Sequence, residues 1–190
     1  MPLNKHLDLI GKHAFLSPSK YYWLNYDRDT LFKSYDNAMA QARGVKLHAM
    51  AKDLIDEHIK LRGNSTTMAA YVNDAIGYGM TTEQPLYFSE NCFGTTDAIL
   101  YKNGVLRIHD LKTGSTPAHM EQLEIYAALF LMEYERIYGV NSANTKVNLA
   151  LYQNDEVLEE TPDKDRLDEI IYKIREKDRW LDEMKDEVEN

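Results

Sequence analysis

The dipeptide Asn103-Gly104, flanked by two strand-like runs, is the feature that most constrains what this chain can fold into. Asn-Gly is a preferred pair for the two-residue type I′ turn, which joins antiparallel strands while matching their twist. The runs FGTTDAILY (93–101) and VLRIHDLK (105–112) are therefore predicted to form a hairpin in which Lys102 faces Val105.

That register brings three charged residues to one end of the hairpin. Asp97 is expected directly opposite Asp110, with Cβ atoms about 5 Å apart. Two carboxylates this close repel each other unless a cation lies between them, which favours a divalent metal. Lys112 shares the face of Asp110 because strand side chains alternate. Carboxylate ligands, a metal and a lysine suit phosphodiester hydrolysis; a surface hairpin with a salt-bridged face is the open alternative.

Helical spacing dominates on both sides of the hairpin. Predicted helices span Pro18–Tyr26, about Ser34 to Leu61, Ser65–Ile76, Ala118–Tyr138 and about Asp163 to Glu187, and further strands span 85–90 and 145–153. This order predicts an α/β or α+β fold with a mixed central sheet flanked by helices. We expect one domain over 1–190, with a helical part (1–80), a core of sheet and helix (81–153) and an acidic C-terminal helix (154–190).

Charge and cysteine usage limit the classes of function. The net charge is −9, but residues 1–62 carry ten Lys/Arg against seven Asp/Glu, so any contact with nucleic acid is expected in that part. The single cysteine, Cys92, excludes an intrachain disulfide and an iron–sulfur cluster held by one chain. No run is long and apolar enough to span a membrane, and no signal peptide is evident, so we expect a cytoplasmic protein without a membrane partner.

Five short motifs resemble those of the RecB-like, phage-type exonuclease branch of the PD-(D/E)XK nuclease superfamily. Gly94-Thr95-Thr96-Asp97, Asp110-Leu111-Lys112-Thr113-Gly114 and Gln122-Leu123-Glu124-Ile125-Tyr126 match the G-x-x-D, D-x-K-T-G and Q-x-x-x-Y patterns in order and spacing. Gly44 and His48 match a G-x-x-x-H helix motif, and residues 16–25 resemble an N-terminal motif of phage proteins. The resemblance covers roughly residues 14–153.

The resemblance implies a restriction-endonuclease-like core and a role for each matched residue. Lys112 would be the catalytic lysine, and Gln122 and Tyr126 would position it or the substrate. Mg²⁺ or Mn²⁺ would be held by His48, Asp97, Asp110 and the backbone carbonyl of Leu111. Glu83 or Glu90 is a further acidic candidate.

The implied function is metal-dependent hydrolysis of DNA, acting on ends, in a bacterial or phage-infected cell. A nicking endonuclease is one alternative. Another is a nuclease-fold protein that mainly binds a protein partner in recombination or repair, and a homo-oligomer is also open. Without the motifs, His48 would be read as a hydrogen-bonded core residue, Gln122 with Tyr126 as a packing pair, and the Tyr21, Tyr22 and Trp23 cluster as packing rather than base stacking.

Overall fold

A mixed sheet flanked by helices forms the larger part of the computed structural model, which describes residues 5–63, 65–114 and 116–189. The strand order is sequential, and only the third and fourth strands pair in parallel. The predicted mixed α/β fold is confirmed. The α-helices and strands are α1 (Arg28–Asp56), α2 (Thr67–Tyr78), β1 (Thr81–Ser89), β2 (Cys92–Lys102), β3 (Val105–Leu111), α3 (Glu121–Tyr138), β4 (Lys146–Gln153), β5 (Glu156–Glu160) and α4 (Lys164–Glu189).

The chain divides into two compact units, Met1–Arg43 and Gly44–Asn190, here called unit 1 and unit 2. The single domain expected over 1–190 stays a prediction. In unit 1, a 3-10 segment spans Pro18–Asn25, where the sequence predicted a short helix. Unit 2 contains the sheet. No helix among the described residues combines the length and apolarity needed to cross a bilayer.

The two-residue turn forms as predicted and sets the register of the hairpin. Asn103 and Gly104 both have positive φ, 53° and 76°, as a type I′ turn requires. Lys102 pairs with Val105, and the ladder continues as far as Ala98 opposite His109. Asp97 and Asp110 are the next residues on the two strands, so the predicted register is confirmed up to the position that they occupy.

Strand alternation divides the core of unit 2 between the two faces of the sheet. On β3, Leu106 and Ile108 join an apolar cluster with α3 and α4, whereas Leu111 joins a second cluster with α2 and the end of α1. The helix pair α3 and α4 is also joined by the Arg166 guanidinium, whose Nε donates to buried Glu124 over 2.8 Å. The sheet is thus covered on both faces.

The fifth strand was not predicted from the sequence. β5 is exposed along its length and rich in glutamate, so it lacks the alternating pattern of a half-buried strand. It pairs with β4 through a two-residue turn in which Asn154 and Asp155 have positive φ. The sheet therefore extends to residue 160 rather than ending at 153. The other main difference is in α1, which begins at Arg28 rather than near Ser34 and ends at Asp56.

His109 points to the face opposite Asp110, because side chains alternate along β3. It is buried with its Nδ1 3.1 Å from the Tyr152 hydroxyl, which donates to Asp74 over 2.9 Å. Burial, helped by the nearby Arg107 charge, lowers the pKa of His109 to about 4. The imidazole is therefore neutral near pH 7 and serves packing and hydrogen bonding on this face.

The turn geometry predicts opposite effects for two glycine substitutions. Gly104→Ala forces a Cβ into a left-handed backbone and should lower the free energy of unfolding by about 1 kcal/mol. Gly77→Ala lies within α2, at a position with open space for a Cβ, and should raise it by about 0.5–1 kcal/mol. Urea denaturation of the two variants measures both changes, and a stabilising Gly104→Ala would contradict the turn assignment.

Candidate functional site

Lys112 is held between a carboxylate and an amide just beyond the end of β3. Its Nζ donates to Asp110 Oδ1 over 3.2 Å and to Gln122 Oε1 over 2.8 Å. The Gln122 amide nitrogen in turn donates a hydrogen bond to the Tyr126 hydroxyl over 3.3 Å. Because Gln122 and Tyr126 are four residues apart, they share one face of α3. Four of the predicted residues therefore form one hydrogen-bonded chain.

Asp97 connects two other predicted residues. Its Oδ2 accepts a hydrogen bond from the backbone N–H of Leu111 over 2.9 Å and lies 3.3 Å from His48 Nδ1. The hydrogen bond to Asp97 raises the pKa of His48 above its ordinary value, against the opposing effect of burial. The α1 histidine and the carboxylate of β2 thus meet at the end of the hairpin that holds Asp110.

Asp110 is a buried carboxylate with an incomplete set of partners. The residue is 3% exposed, and its burial, together with the charge of Asp97, raises its pKa despite the nearby Lys112 ammonium. Lys112 Nζ lies 3.0 Å from Asp110 Oδ2, but the geometry supports a hydrogen bond only to Oδ1. Oδ2 has no hydrogen-bond partner. An oxygen in this situation can still accept a water or a cation.

The chemistry of these donors suits a hard divalent cation. Two carboxylates and an imidazole nitrogen are ligands that Mg²⁺ or Mn²⁺ accepts, and the unpartnered Oδ2 of Asp110 is available for one. Within the described residues, no three or more His, Cys, Asp or Glu side chains already surround a common point as a metal site would. His48 and Asp97 contact each other instead, so metal binding would require them to exchange that contact for the cation.

Two glycines allow the site to assemble, which gives a physical reason for their place in the motifs. A Cβ on Gly44 would lie 2.8 Å from Thr113 Oγ1, next to Lys112. A Cβ on Gly94 would lie 2.9 Å from Cε1 of the Tyr126 ring. Gly44 thus permits close contact of α1 with the residue after Lys112, and Gly94 permits close contact of β2 with α3.

Tyr71 and Gln153 belong to the surroundings of the site and were missed in the sequence. Burial raises the pKa of the Tyr71 phenol, and the charges of Asp97 and Asp110 add to this shift. Gln153, at the end of β4, donates to the carbonyls of Gly114 and Thr116 over 2.7 Å each, which anchors the loop after Lys112. A polar residue ending an apolar strand was the available signal for Gln153, whereas Tyr71 gave none.

The weaker acidic candidates are both exposed. Glu83 lies between Thr82 and Gln84, which pair with Ala98 and Thr96 of β2, and it has a positive φ of 47°. Its charge adds to the raised pKa of Tyr71. Glu90 lies at the turn between β1 and β2.

The fold and site define a mixed α/β protein with a lysine and two carboxylates at one end of its central hairpin. A family model described as "Protein of unknown function (DUF2800)" matches residues 67–183, more than half of the 190 residues, and the chain belongs to that family. No curated protein matches the chain. Among solved structures, the crystal structure of SSO0001 is similar over 81% of this chain and 68% of that chain, at 11% sequence identity and a TM-score of 0.33.

The close contact of Gly94 with Tyr126 predicts a non-additive pair of substitutions. Gly94→Ala should lower the free energy of unfolding by about 1–3 kcal/mol, because the added methyl overpacks the ring. In a Tyr126→Ala background most of this loss should disappear, whereas in a Tyr126→Phe background it should persist, because the ring remains. Chemical denaturation of the resulting double-mutant cycles provides the measurement, and additive effects with Tyr126→Ala would exclude the contact.

Proposed function

We propose that this chain is a metal-dependent deoxyribonuclease of the PD-(D/E)XK superfamily that hydrolyses phosphodiester bonds at DNA ends. In this reaction a water oxygen bonds to phosphorus as one P–O ester bond breaks, leaving a phosphate monoester and a free hydroxyl. The resemblance of the motifs to phage-type RecB-like exonucleases directs the proposal to DNA and to its ends.

One observation carries the proposal: Lys112 is held by Asp110 and Gln122 beside a buried carboxylate oxygen that has no donor of its own. The same ammonium lies 3.0 Å from Asp110 Oδ2, so it screens the charge of that oxygen without donating a hydrogen bond to it. An ammonium group fixed next to a carboxylate oxygen that can still accept a cation is suited to bind an anionic phosphate and to stabilise the charge that develops on it.

The proposed role of each residue follows from its contacts. Asp110, Asp97, His48 and the Leu111 carbonyl would hold Mg²⁺ or Mn²⁺, which when bound polarises a phosphate and lowers the pKa of a water. Asp97 is kept in place by the Leu111 N–H. Gln122 holds Lys112 through its carbonyl oxygen, and the Tyr126 hydroxyl holds the amide of Gln122. Lys112 is therefore restrained before substrate binds, which reduces the entropy lost in the transition state.

A second candidate function, binding of a protein partner, is favoured by the surface of α4. This helix carries ten Asp/Glu against seven Lys/Arg and leaves Tyr172, Trp180 and Met184 about half exposed or more. Clustered exposed apolar side chains mark interaction surfaces more often than the rest of a protein's exterior. Binding of a partner through α4 does not require Lys112, so substitution of Lys112 distinguishes this function from the nuclease.

The test is cleavage of linear and circular DNA, single- and double-stranded, with Mg²⁺, Mn²⁺ or EDTA. The wild type should degrade linear DNA only with a metal, and Lys112→Ala should slow cleavage by about 10²–10³-fold, because one charge-stabilising group contributes that much. Asp110→Asn should reduce it at least as strongly.

Lys102→Ala is the matched control, since it removes the same charge from an exposed position on the same hairpin and should cleave like the wild type. The thermal midpoint gives a second readout: Mn²⁺ should raise that of the wild type, as any ligand of the folded state does, but not that of Asp110→Asn. Equal rates for the wild type and Lys112→Ala would reject the nuclease and leave the partner-binding function.

A further inference from the structure

A pocket lined by aromatic side chains lies wholly within unit 1, outside the site described above. Its volume is about 290 Å³, and four rings line it: Phe15, Tyr22, Trp23 and Tyr26. Three of them come from the 3-10 segment and the residue that follows it, and one wall of the pocket is formed by α1. Space of this size accepts a single planar ring system of the dimensions of a nucleobase.

These rings are held in place, but they are not buried in a closed hydrophobic core. Among the described residues of unit 1, Ser17 is the one buried side chain, and Tyr22 is 52% exposed. Trp23 is held by its indole N–H, which donates to the Ser17 carbonyl over 2.9 Å. Tyr22 and Tyr26 lie 6.5 Å apart at a tilt of 45°. The rings therefore leave surface on which a base can stack, the alternative to the packing role favoured for this cluster from sequence.

Polar side chains line the same pocket beside the rings. Asn37 and Gln41 are one helical turn apart on α1 and both line the pocket, so two amides face the same space. Amide groups offer donors and acceptors that match the edges of bases. Lys20 lines the pocket as well and supplies a cation for a phosphate.

The distribution of charge distinguishes unit 1 from the rest of the chain. Residues 1–43 carry six Lys/Arg against four Asp/Glu, whereas residues 44–190 carry sixteen against twenty-seven. An anionic polymer is therefore attracted to unit 1 and repelled by most of the remaining surface. This favours nucleic acid over an uncharged apolar ligand.

We propose that the unit 1 pocket binds a base of single-stranded DNA by stacking on Tyr22, Trp23 and Tyr26, with its edge read by Asn37 and Gln41. The choice of DNA as ligand rests on the proposed function. The binding itself requires neither a metal nor Lys112, since stacking depends on the aromatic faces alone.

The experiment uses the full chain carrying Lys112→Ala and Trp180→Phe, in EDTA. The chain has two tryptophans, so Trp23 is then the sole fluorescent indole, and no strand is cleaved during the titration. An oligothymidylate and an abasic strand of the same length are titrated in turn. The oligothymidylate should quench Trp23 and bind about 5- to 150-fold more tightly than the abasic strand, the ratio that stacking of one base provides.

Tyr22→Ala in this background should remove most of that preference, whereas Phe32→Ala, which alters an exposed ring of α1 outside the pocket, should leave it unchanged. Far-ultraviolet circular dichroism verifies that both variants keep their helices. Equal affinity for the two strands, or an unchanged preference in Tyr22→Ala, would overturn the proposal, as would tighter binding of a proline-rich peptide. Cleavage by the wild type is measured separately, so failure of stacking and failure of hydrolysis give different results.

Discussion

The site depends on one local constraint, the two-residue turn at Asn103-Gly104. A turn of this length allows a single register, and each residue along β2 then has one partner on β3. A one-residue slip would turn Asp110 to the opposite face and put His109 in its place. The carboxylate would then lie among Tyr152 and Tyr78, where the neutral imidazole now packs. The positive φ values of the two turn residues thus decide which side chain enters the site.

Burial of the Asp110 carboxylate is energetically unfavourable. A carboxylate that is 3% exposed loses its hydration, and the charge of Asp97 adds repulsion, so its pKa rises. Lys112 offsets part of this cost but engages only one oxygen in a hydrogen bond. Natural proteins retain such unfavourable interactions mainly at functional sites. The pair Glu124 and Arg166 shows the contrast, since both oxygens of the buried Glu124 carboxylate accept from the partly exposed guanidinium.

The region that matches the DUF2800 family includes most of the proposed site. Residues 67–183 contain both carboxylates, Lys112, Gln122 and Tyr126, while His48 lies before them on α1. The hydrogen-bonded chain from Asp110 to Tyr126 is complete within that region. His48 is joined to the site by its contact with Asp97. Unit 1, with its aromatic pocket, also lies outside the matched residues. The proposed cleavage and the proposed base binding therefore belong to different parts of the chain.

The sequence by itself determined the features that depend on near neighbours. The hairpin, its register, the shared face of Asp110 and Lys112, and the spacing of Gln122 and Tyr126 all follow from turn chemistry and from the periods of strand and helix. The contact of His48 with Asp97 was expected only from the resemblance of the motifs. The tertiary structure alone decided that Gly94 meets Tyr126 and that Gln153 anchors the loop after Lys112. It also decided that β5 joins the sheet, because an exposed edge strand is held by backbone pairing with β4 and needs no apolar pattern. Such contacts depend on how whole elements pack, and no local pattern encodes that packing.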